Sequence, residues 1–588
     1  MRASRPIDIS VFAEARSRGL SPLLARIIAG RIDGDTPLDL VLDPKIGDIP
    51  APNLLADLVP AVDRIVDAIR SGQPIGVLTD YDADGLTSHA VLTHALIRFG
   101  VPVTQISHWI GHRIEDGYGI SERLVDRILE AINPPVLVIS ADCGSSDELQ
   151  ISRLDSEGID VIVTDHHRIS DAGPPVSAYA VINPNREDCD YPDKSIAGCM
   201  VSWLVMSAVR SQLIEEKLLS ESTPKLGDLL DYVALGTIAD CVSMGNSATN
   251  RIVVLTGLKQ IQAKTRPCWQ VAVDKLTKLP SDVDSEWLAF QLAPRLNARG
   301  RIDHSMRGFE FLFAENLTSA AEAYSDLDQD NQKRRVIEKQ MVEHAKPLAR
   351  RQRMHGGLVL CVVLENGHSG VQGIVASRLV ETEGVPSIVL TPGTVDGTLT
   401  GSMRSVPGVD AKGLLDHVAD SVPSVFIRYG GHAGACGMTL DRAGLESFGE
   451  SLQAIFQMIY PDYPVAVRHQ TDGELLSDDF ELDRVEQISQ LGPFGRGFES
   501  PLFEGVFEVI SSQIIGRDGS HLSLDLRVEA KQIRAVWFGA QATGHPPVVM
   551  AGDWIDCVFS LSVNTYQGTE LSVIIRHGQL ITKELLHA

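Results

Sequence analysis

Short apolar runs alternate with helix-like stretches through the first half of the chain. Runs at 75–78, 134–140 and 159–164 are typical of buried parallel strands, which are covered on both faces and therefore read as continuous apolar segments. The stretch 88–99 has the length and pattern of a crossover helix between two such strands. The pattern predicts a doubly wound α/β domain over residues 71–245, covered by a helical segment at 1–70.

The second half of the chain changes character twice. Residues 246–354 are helical and charged, and 318–353 predicts one long amphipathic helix that joins two lobes, with Thr318 suited to cap its start. A second α/β lobe is predicted over 355–467, opening with the apolar strand 358–364. Short β runs separated by turns over 468–588 predict a small barrel.

Composition and charge limit the class of protein. The 588 residues carry 52 basic and 77 acidic side chains, a net charge of −25 that argues against binding nucleic acid by bulk charge. A local basic groove remains compatible with this balance. No C-x-x-C pair, signal segment or apolar run near 18 residues is present. We therefore expect a cytoplasmic protein without a structural zinc site, a disulfide framework or a membrane segment.

Acidic and imidazole side chains follow the predicted strands. The first strand is followed by Asp80-Tyr81-Asp82-Ala83-Asp84-Gly85, which reads as a turn, and a helical stretch at 229–238 is closed by Asp240. Because the carboxyl ends of parallel strands share one edge of a sheet, these side chains should meet there. The set comprises Asp80, Asp82, Asp84, Asp142, Asp165, His166, His167 and Asp240.

Each member of this set also has an ordinary structural interpretation. Asp142 could cap a helix, Asp165 could accept backbone hydrogen bonds, and the two histidines could be surface residues. As a set at strand and helix ends, however, they would repel one another unless cations neutralised them. Carboxylates with one or two imidazoles favour Mn²⁺ or Mg²⁺, and two such ions are the usual arrangement for phosphoester hydrolysis.

Candidate phosphate contacts lie further along the chain. Residues 290–301 contain three arginines, which form either a solvated face or a phosphate clamp. A Gly-rich loop at 368–378 offers a helix start suited to anions, and Ser402 and Arg404 follow a short strand. The glycine string 430–437 includes His432 and permits either close backbone approach to a ligand or a tight packing turn around a core histidine.

These motifs carry a resemblance. Asp80-x-Asp82-x-Asp84-Gly85, Asp142-Cys143-Gly144, Asp165-His166-His167 and Gly236-Thr237-Ile238-Ala239-Asp240 resemble the four motifs of the DHH phosphoesterase superfamily. From about residue 40 to near the C-terminus the chain resembles, within that superfamily, the RecJ family of bacterial single-stranded-DNA exonucleases. The family's A-P-R-x-N and G-G-H-x-x-A-x-G motifs are also present, but Phe498 stands where its linker motif has Asn.

The resemblance implies a fold, an activity and a site. The fold is a DHH metal domain and a DHHA1-type α/β lobe joined by a long helix, with a C-terminal OB-like barrel. The activity is 5′→3′ hydrolysis of single-stranded DNA to 5′-mononucleotides with two Mn²⁺ or Mg²⁺ ions, in recombination and DNA repair, with the strand passing between the lobes. The metal ligands would be Asp80, Asp82, Asp84, Asp142, His166 and Asp240, with His167 on the metals or just outside their coordination sphere.

Substrate contacts and partners follow from the same resemblance. The barrel would bind the single strand, with Phe494, Arg496, Phe498, Trp537 and Tyr566 as candidate contacts that could equally be core residues. We expect a monomer, with single-stranded-DNA-binding protein and a helicase as candidate partners. The predicted phosphate contacts are Arg113, Arg295, Arg299, His368, Ser402, Arg404, Gly431 and His432.

Two other functions remain open from sequence. A DHH phosphodiesterase for short oligonucleotides or cyclic dinucleotides would generally lack the barrel and the long helix. A non-catalytic replication scaffold would have lost metal ligands, which are all present here.

Overall fold

The computed structural model describes residues 2–581 with the exception of 114, 171, 246, 278, 280–281, 303–304, 464–468, 542–545 and 565–569. The chain forms two compact units. The larger unit combines residues 2–109, 124–293 and the part of the chain after 467, and the smaller unit combines 110–123 with 294–467. None of the helices in the described ranges has both the length and the apolar character needed to cross a membrane.

A five-stranded sheet forms the centre of the larger unit. Its order is β3-β2-β4-β5-β6, and β2, β4, β5 and β6 run parallel to one another. Strands β2 and β4 are buried along their whole length, as their continuous apolar sequences predict. The strands are β2 (Ile75–Thr79), β3 (Ile106–Ile110), β4 (Leu137–Ala141), β5 (Asp160–Thr164) and β6 (Ala180–Ile182).

Helices cover this sheet. Helix α5 packs against both α8 and α9, and its buried residues run through most of its length. The helices of the unit are α1 (Ile9–Ser17), α2 (Pro22–Ala29), α3 (Asp39–Leu42), α4 (Leu58–Arg70), α5 (Ala83–Arg98), α6 (Glu122–Leu129), α7 (Glu148–Ser156), α8 (Gly198–Glu215), α9 (Leu230–Ala239), α10 (Ala248–Gln262), α11 (Pro267–Leu276) and α12 (Ser285–Trp287), followed by a π-helical turn at Leu288–Leu292.

A closed five-stranded barrel completes the larger unit. Its order is β13-β14-β15-β17-β16, which confirms the predicted barrel. A short parallel pair, β1 (Arg2–Ser4) with β12 (His469–Thr471), leads into it. The remaining elements are α19 (Leu482–Ser489), β13 (Phe503–Ile515), β14 (His521–Val528), β15 (Lys531–Trp537), β16 (Trp554–Asn564) and β17 (Glu570–Ile581).

Two buried arginines hold the segment before the barrel against the rest of the larger unit. Arg31 donates to both carboxylate oxygens of Asp472, at 2.7 and 2.9 Å. Arg251 donates to the carbonyls of residues 491–493, and its guanidinium lies 4.3 Å from the centre of the Phe498 ring. Phe498 is fully buried. The Phe that departs from the family motif is therefore part of the core.

The smaller unit contains a second five-stranded sheet and the long helix. The order is β10-β11-β9-β8-β7, and only the β7–β8 pair is parallel among the described pairings. One face packs on α17 and α18 through a core that includes Leu399, Met403 and Phe448. Its strands are β7 (Leu360–Val363), β8 (Ser387–Pro392), β9 (Thr398–Arg404), β10 (Phe426–His432) and β11 (Ala435–Asp441).

The long helix α15 spans 38 residues, Leu317–Met354, which confirms the predicted long helix. Its N-cap is Asn316, whose side chain accepts from the backbone N–H of Ser319, so the predicted cap at Thr318 is wrong. Thr318 instead lies within the first turn. The other helices of this unit are α13 (Ala293–Ile302), α14 (Met306–Leu312), α16 (Gln372–Glu383), α17 (Ala411–Ser421) and α18 (Leu445–Ile459).

Candidate metal centre and phosphate pocket

Three strands of the larger unit end level with one another. The last residues of β2, β4 and β5 pair across the sheet. The residues that follow them, Asp80, Asp142 and Asp165, therefore reach the same edge. Asp142 has a φ of 59°, in the left-handed region that side chains other than Gly rarely adopt. Strain of this kind is typical of functional positions.

The segment predicted as an acidic turn is the start of helix α5. Asp82 is the N-cap, and its carboxylate accepts from the backbone N–H groups of Asp84 at 2.9 Å and Gly85 at 3.2 Å. Asp84 therefore projects from the first helical turn. Gly85 is required by sterics, because a Cβ atom there would lie 2.3 Å from the carbonyl oxygen of Asp80.

Asp84 is held by the beginning of another helix. The first two backbone N–H groups of α8 donate to it, from Gly198 at 2.8 Å and Cys199 at 3.0 Å. A helix N-terminus stabilises a carboxylate in its charged form. Gly236 of α9 leaves room for this arrangement, since a Cβ there would lie 2.7 Å from an oxygen of Asp84.

The imidazole of His166 faces three carboxylates. Its Nε2 atom lies 3.2 Å from Asp142 Oδ1, 3.5 Å from Asp240 Oδ2 and 3.8 Å from Asp84 Oδ2. Asp240 reaches this point as the C-cap of α9. His166 Nε2 is buried and makes no hydrogen bond with a described residue. In this position among acidic oxygens, Nε2 could bind a metal ion together with them.

The ligand atoms form three overlapping groups, and within each group they lie within 4.8 Å of one another. Asp142 and His166 each belong to two of the groups, so the groups form one continuous cluster. The groups are Asp80 with Asp82 and Asp142; Asp84 with His166 and Asp240; and Asp142 with Asp165, His166 and His167.

The electrostatics of the cluster fit divalent cations. Burial raises the pKa of Asp142 well above its ordinary value, and the charges of Asp84 and Asp82 raise it further. Burial and the same neighbours raise the pKa of Asp240. Cations would relieve this repulsion, and a set of carboxylate oxygens with one imidazole suits Mn²⁺ or Mg²⁺. The residues present therefore fit the predicted metals.

His167 is oriented by Asp165. Burial lowers the pKa of His167, but the hydrogen bond from its Nδ1 to Asp165 Oδ1 (2.8 Å) and the Asp165 charge outweigh burial and raise that pKa to about 9. The same Asp165 oxygen accepts the backbone N–H groups of both histidines. Asp165 thus serves as the support of the His166-His167 pair.

Sequence reasoning missed a layer of supporting side chains. Asn183 donates to the carbonyl of His167 at 2.8 Å and to Ser145 Oγ at 2.8 Å, and Asn185 donates to the carbonyl of His166. The signal was available, because Asn183-Pro184-Asn185 directly follows β6 at the same edge of the sheet. These contacts fix the backbone of the histidine pair.

The smaller unit contains a basic pocket of about 540 Å³. Three of the predicted phosphate contacts line it: Arg113, Ser402 and Arg404. Gln372 and Arg428 line it as well and were not predicted, and Arg301 also lines it. Arg301 belongs to the arginine-rich stretch noted in the sequence, whereas Arg428 lies on β10 just before the glycine string.

Two hydrogen bonds fix the position of the Arg404 guanidinium in this pocket. Its Nη1 donates to Ser402 Oγ at 2.7 Å and to the Met403 carbonyl at 2.9 Å. Burial, together with the charge of Arg113, lowers its pKa. A Cβ atom on Gly373, in the first turn of α16, would lie 2.5 Å from its Nη2. A guanidinium, a hydroxyl and a helix start therefore converge on one point, which suits a phosphate group.

Comparison with known proteins places this geometry in a family. Family models match as "DHH family, N-terminal domain" over 74–237, "DHHA1 domain" over 356–460 and "RecJ OB domain" over 471–577. The single-stranded-DNA-specific exonuclease RecJ of Haemophilus influenzae is 33% identical over 93% of this chain and 94% of its own. The Escherichia coli protein of the same name is 34% identical over 79% of this chain and 80% of its own.

The chain belongs to the RecJ family. A crystal structure of RecJ from Thermus thermophilus in complex with Mn²⁺ matches the fold with a TM-score of 0.78 at 24% identity, covering 99% of this chain and 79% of that one. The resemblance found in the motifs is thereby confirmed, and so is the predicted fold of DHH, DHHA1 and OB domains.

Two other predicted phosphate contacts of this RecJ-family chain lie outside the pocket lining. Arg295 donates to Asp328 at 2.8 Å and Arg299 to Asp330 at 2.6 Å, both on α15. They were chosen as part of a charge run, and no local sequence pattern marks their carboxylate partners. Their role as a phosphate clamp remains a prediction.

The remaining three predicted phosphate contacts, His368, Gly431 and His432, lie in or next to turns of the backbone. His368 caps the turn before α16, its Nδ1 accepting from the Gly370 N–H, and His432 Nδ1 accepts from the Gly434 N–H. Gly431 has a φ of 143°, and a Cβ there would lie 2.3 Å from the Ala435 carbonyl oxygen. The glycine string therefore contains a tight turn, as one interpretation of the sequence held, but His432 is exposed and is not the core histidine of that interpretation.

The candidate strand-binding residues of the barrel region differ in their burial. Phe494 and Arg496 line an apolar cavity of about 480 Å³, Trp537 is half-buried, and Phe498 is in the core. Tyr566 lies outside the described residues.

Proposed function

We propose that the protein is a metal-dependent exonuclease that degrades single-stranded DNA from its 5′ end and releases 5′-mononucleotides, in recombination and DNA repair. The observation that carries the proposal is the cluster of buried carboxylates around His166 at the edge of the larger unit's sheet. Its relatives are named single-stranded-DNA-specific exonucleases, which supports the choice of substrate.

The residues that would hold the metals are Asp80, Asp82, Asp84, Asp142, His166 and Asp240. Two bound divalent ions would supply Lewis-acid stabilisation of a phosphodiester and promote ionisation of the attacking water. The chain supplies the rest: α5 and α8 fix Asp84, and α9 presents Asp240. His167, held by Asp165, would orient the site or give a proton to the departing oxygen.

The pocket of the smaller unit would receive the terminal phosphate of the strand. Arg404 and Ser402 present a guanidinium and a hydroxyl that already contact each other, and Arg113 adds a second positive charge. Arg295 and Arg299 would contact the strand by exchanging their α15 carboxylates for phosphate. His368, Gly431 and His432 remain proposed contacts of the same phosphate group.

A labelled long single strand tests the proposal. With Mn²⁺ present, we expect a label at the 5′ end to be released first, as a mononucleotide, and we expect no release with EDTA. Release from the 3′ end, or release that persists in EDTA, would contradict the polarity or the metal dependence respectively.

The same assay distinguishes this exonuclease from a phosphodiesterase that acts on small substrates. Hydrolysis of only very short oligonucleotides would identify a small-substrate phosphodiesterase instead. Single-stranded-DNA-binding protein and a helicase remain proposed partners, which co-purification with the full chain would test. A monomer remains the proposed oligomeric state, which sedimentation of the full chain would test.

A further inference from the structure

The pocket of the smaller unit is more basic and more spacious than one terminal phosphate requires. Its walls carry Arg113, Arg301, Arg404 and Arg428, and none of the described lining residues is acidic, although the chain has a net charge of −25. Its volume of about 540 Å³ falls in the range of pockets that enclose whole small molecules. The predicted contacts use only part of this lining.

Arg428 stands at the far end of the sheet face that carries Ser402. The register pairs Ser402 of β9 with Gly437 of β11, and Gly437 with Gly430 of β10. Arg428 is two residues from Gly430, so its side chain projects on the same face. With neighbouring strands about 4.8 Å apart, the Cα of Arg428 lies about 10 Å across the sheet from β9.

Between Ser402 and Arg428, glycines leave this face of the sheet without side chains. A Cβ atom built on Gly430 or on Gly437 would meet no described atom within 4 Å. Helix α16 packs against β8 and β9, and the opposite face of β11 is buried in the core through Met438 and Leu440. A ligand that starts at Ser402 can therefore extend across a flat backbone floor toward Arg428.

The guanidinium of Arg428 is accessible to an anionic ligand. It is exposed, and its Nε donates to Thr439 Oγ1 at 3.3 Å. It forms no ion pair with a described residue, whereas Arg442 on a neighbouring turn is paired with Glu365. A guanidinium oriented by a hydroxyl and not neutralised by a carboxylate suits a phosphate oxygen.

We propose that Arg428 and Thr439 form a second anion subsite, so that the pocket binds a chain of two or three phosphates more tightly than a single phosphate. The inference rests on the proposed function, which places a 5′ phosphate on Ser402 and Arg404. A 5′-triphosphorylated strand and a free nucleoside triphosphate present this same chemistry. The proposed function, in which Ser402 and Arg404 receive the 5′ end of a strand, favours the strand end as the ligand.

The test measures binding of short single strands that carry a 3′ fluorescent label and a 5′ hydroxyl, monophosphate or triphosphate. The full-length protein is titrated in EDTA so that no strand is hydrolysed. We expect the triphosphate to bind about tenfold more tightly than the monophosphate, the change that one charge-assisted hydrogen bond supplies. In Arg428→Gln the triphosphate should lose this advantage, while the monophosphate keeps its advantage over the hydroxyl.

Arg442→Gln is the matched control, because it removes an exposed guanidinium of the same unit that does not line the pocket, and it should leave all three affinities unchanged. Equal affinity of the wild type for monophosphate and triphosphate would overturn the inference. A uniform loss across all three strands in Arg428→Gln would overturn it too. If the wild type binds the monophosphate strand no more tightly than the hydroxyl strand, the result contradicts the proposed function. The affinity for the triphosphate strand, in the wild type and in Arg428→Gln, then still tests the second subsite.

Competition separates the two sources of the phosphate chain. Inorganic tripolyphosphate and a nucleoside triphosphate are titrated against the triphosphorylated strand. Displacement in the wild type but not in Arg428→Gln supports the subsite. A free compound that binds more tightly than the strand overturns the assignment to a strand end and identifies a free nucleotide as the ligand.

Discussion

Asp82 combines two tasks in one carboxylate. It belongs to a group of possible metal ligands with Asp80 and Asp142, and it caps helix α5. Asp82→Ala removes both contributions, whereas Asp82→Asn keeps a good cap and removes only the charge. We expect both variants to lose hydrolysis of single-stranded DNA. The Ala variant should also be about 1 kcal/mol less stable than the Asn variant in metal-free urea unfolding.

Metal binding gives an independent measurement on the same variants. Mn²⁺ should raise the unfolding temperature of the wild type by mass action, and should raise that of both variants less. Turnover at the wild-type rate in either variant would remove Asp82 from the site. Equal stability of the two variants would show that the cap contributes nothing.

Asp165 allows a test of support without removal of a predicted ligand. Asp165→Asn keeps an oxygen for the backbone N–H groups but removes the charge that faces His167. We expect steady-state hydrolysis to fall by about 10–100-fold, as is typical when a side chain that orients a metal ligand is lost, with little change in unfolding temperature. Asp155→Asn, an exposed change on α7, should alter neither. Unchanged hydrolysis in Asp165→Asn would contradict the supporting role.

At this scale the sequence predicted a cluster of carboxylates around His166, which the structure contains, but only some of the side chains that support it. Asp142 and His166 were visible because acidic residues follow apolar runs, a pattern of neighbouring positions. Asn185 directly follows β6 and was visible in the sequence, but its contact with the His166 carbonyl, like that of Ser145 with Asn183, joins segments that are far apart in the chain. Arg295 was predicted as a phosphate contact from a run of charged residues, which could not show that its partner in the structure, Asp328, lies on another helix.

Helices α5 and α9 pack so closely that no space remains for a methyl group on Gly236. A Cβ on Gly236 would lie 2.3 Å from Thr87 Oγ1 and 2.7 Å from an oxygen of Asp84. Gly236→Ala should therefore cost about 1–3 kcal/mol of stability, the usual penalty for overpacking, and should reduce hydrolysis by displacing Asp84. Urea denaturation and the nuclease assay measure the two effects.

Gly227→Ala is the control for this change, since a Cβ there meets no described atom within 4 Å. It should change stability by less than about 0.5 kcal/mol. A Gly236→Ala variant as stable as Gly227→Ala would show that the two helices can separate without loss.

Element prediction worked where the pattern was long. The amphipathic period predicted α15 to within a residue at each end, but its cap is Asn316 rather than Thr318. The start of α5 was missed by several residues, because Asp82-Ala83-Asp84-Gly85 has the composition of a turn. Only the hydrogen bonds from the backbone to the Asp82 carboxylate turn it into a helix start.

For the molecule as a whole, the buried pair Arg31–Asp472 ties the N-terminal helices to the segment before the barrel. Asp472→Ala leaves a buried guanidinium unpaired, and we expect a loss of about 3–5 kcal/mol in the free energy of unfolding. Asp478→Ala, an exposed change nearby, should stay within about 0.5 kcal/mol of the wild type. Equal stability of the two variants would show that the pair contributes nothing.

This contact also changes how the barrel can be tested. Deleting the chain after residue 468 would remove the carboxylate partner of Arg31 and the carbonyl partners of Arg251 at 491–493. Lost activity would then not distinguish lost DNA binding from a lost fold. The sequence predicted the barrel from its short strands, but it could not show that the buried charges of earlier helices depend on residues hundreds of positions away.

The larger unit is assembled from chain segments that the ribosome makes at widely separated times. Arg31 and Asp472 are 441 positions apart, an interval of about 20–90 s at usual rates of synthesis. For the later part of that interval the nascent chain already carries every predicted metal ligand, yet two arginines that end up buried still await their partners. A premature stop between residues 294 and 467 would therefore release an incomplete larger unit, a target for proteolysis rather than a stray nuclease.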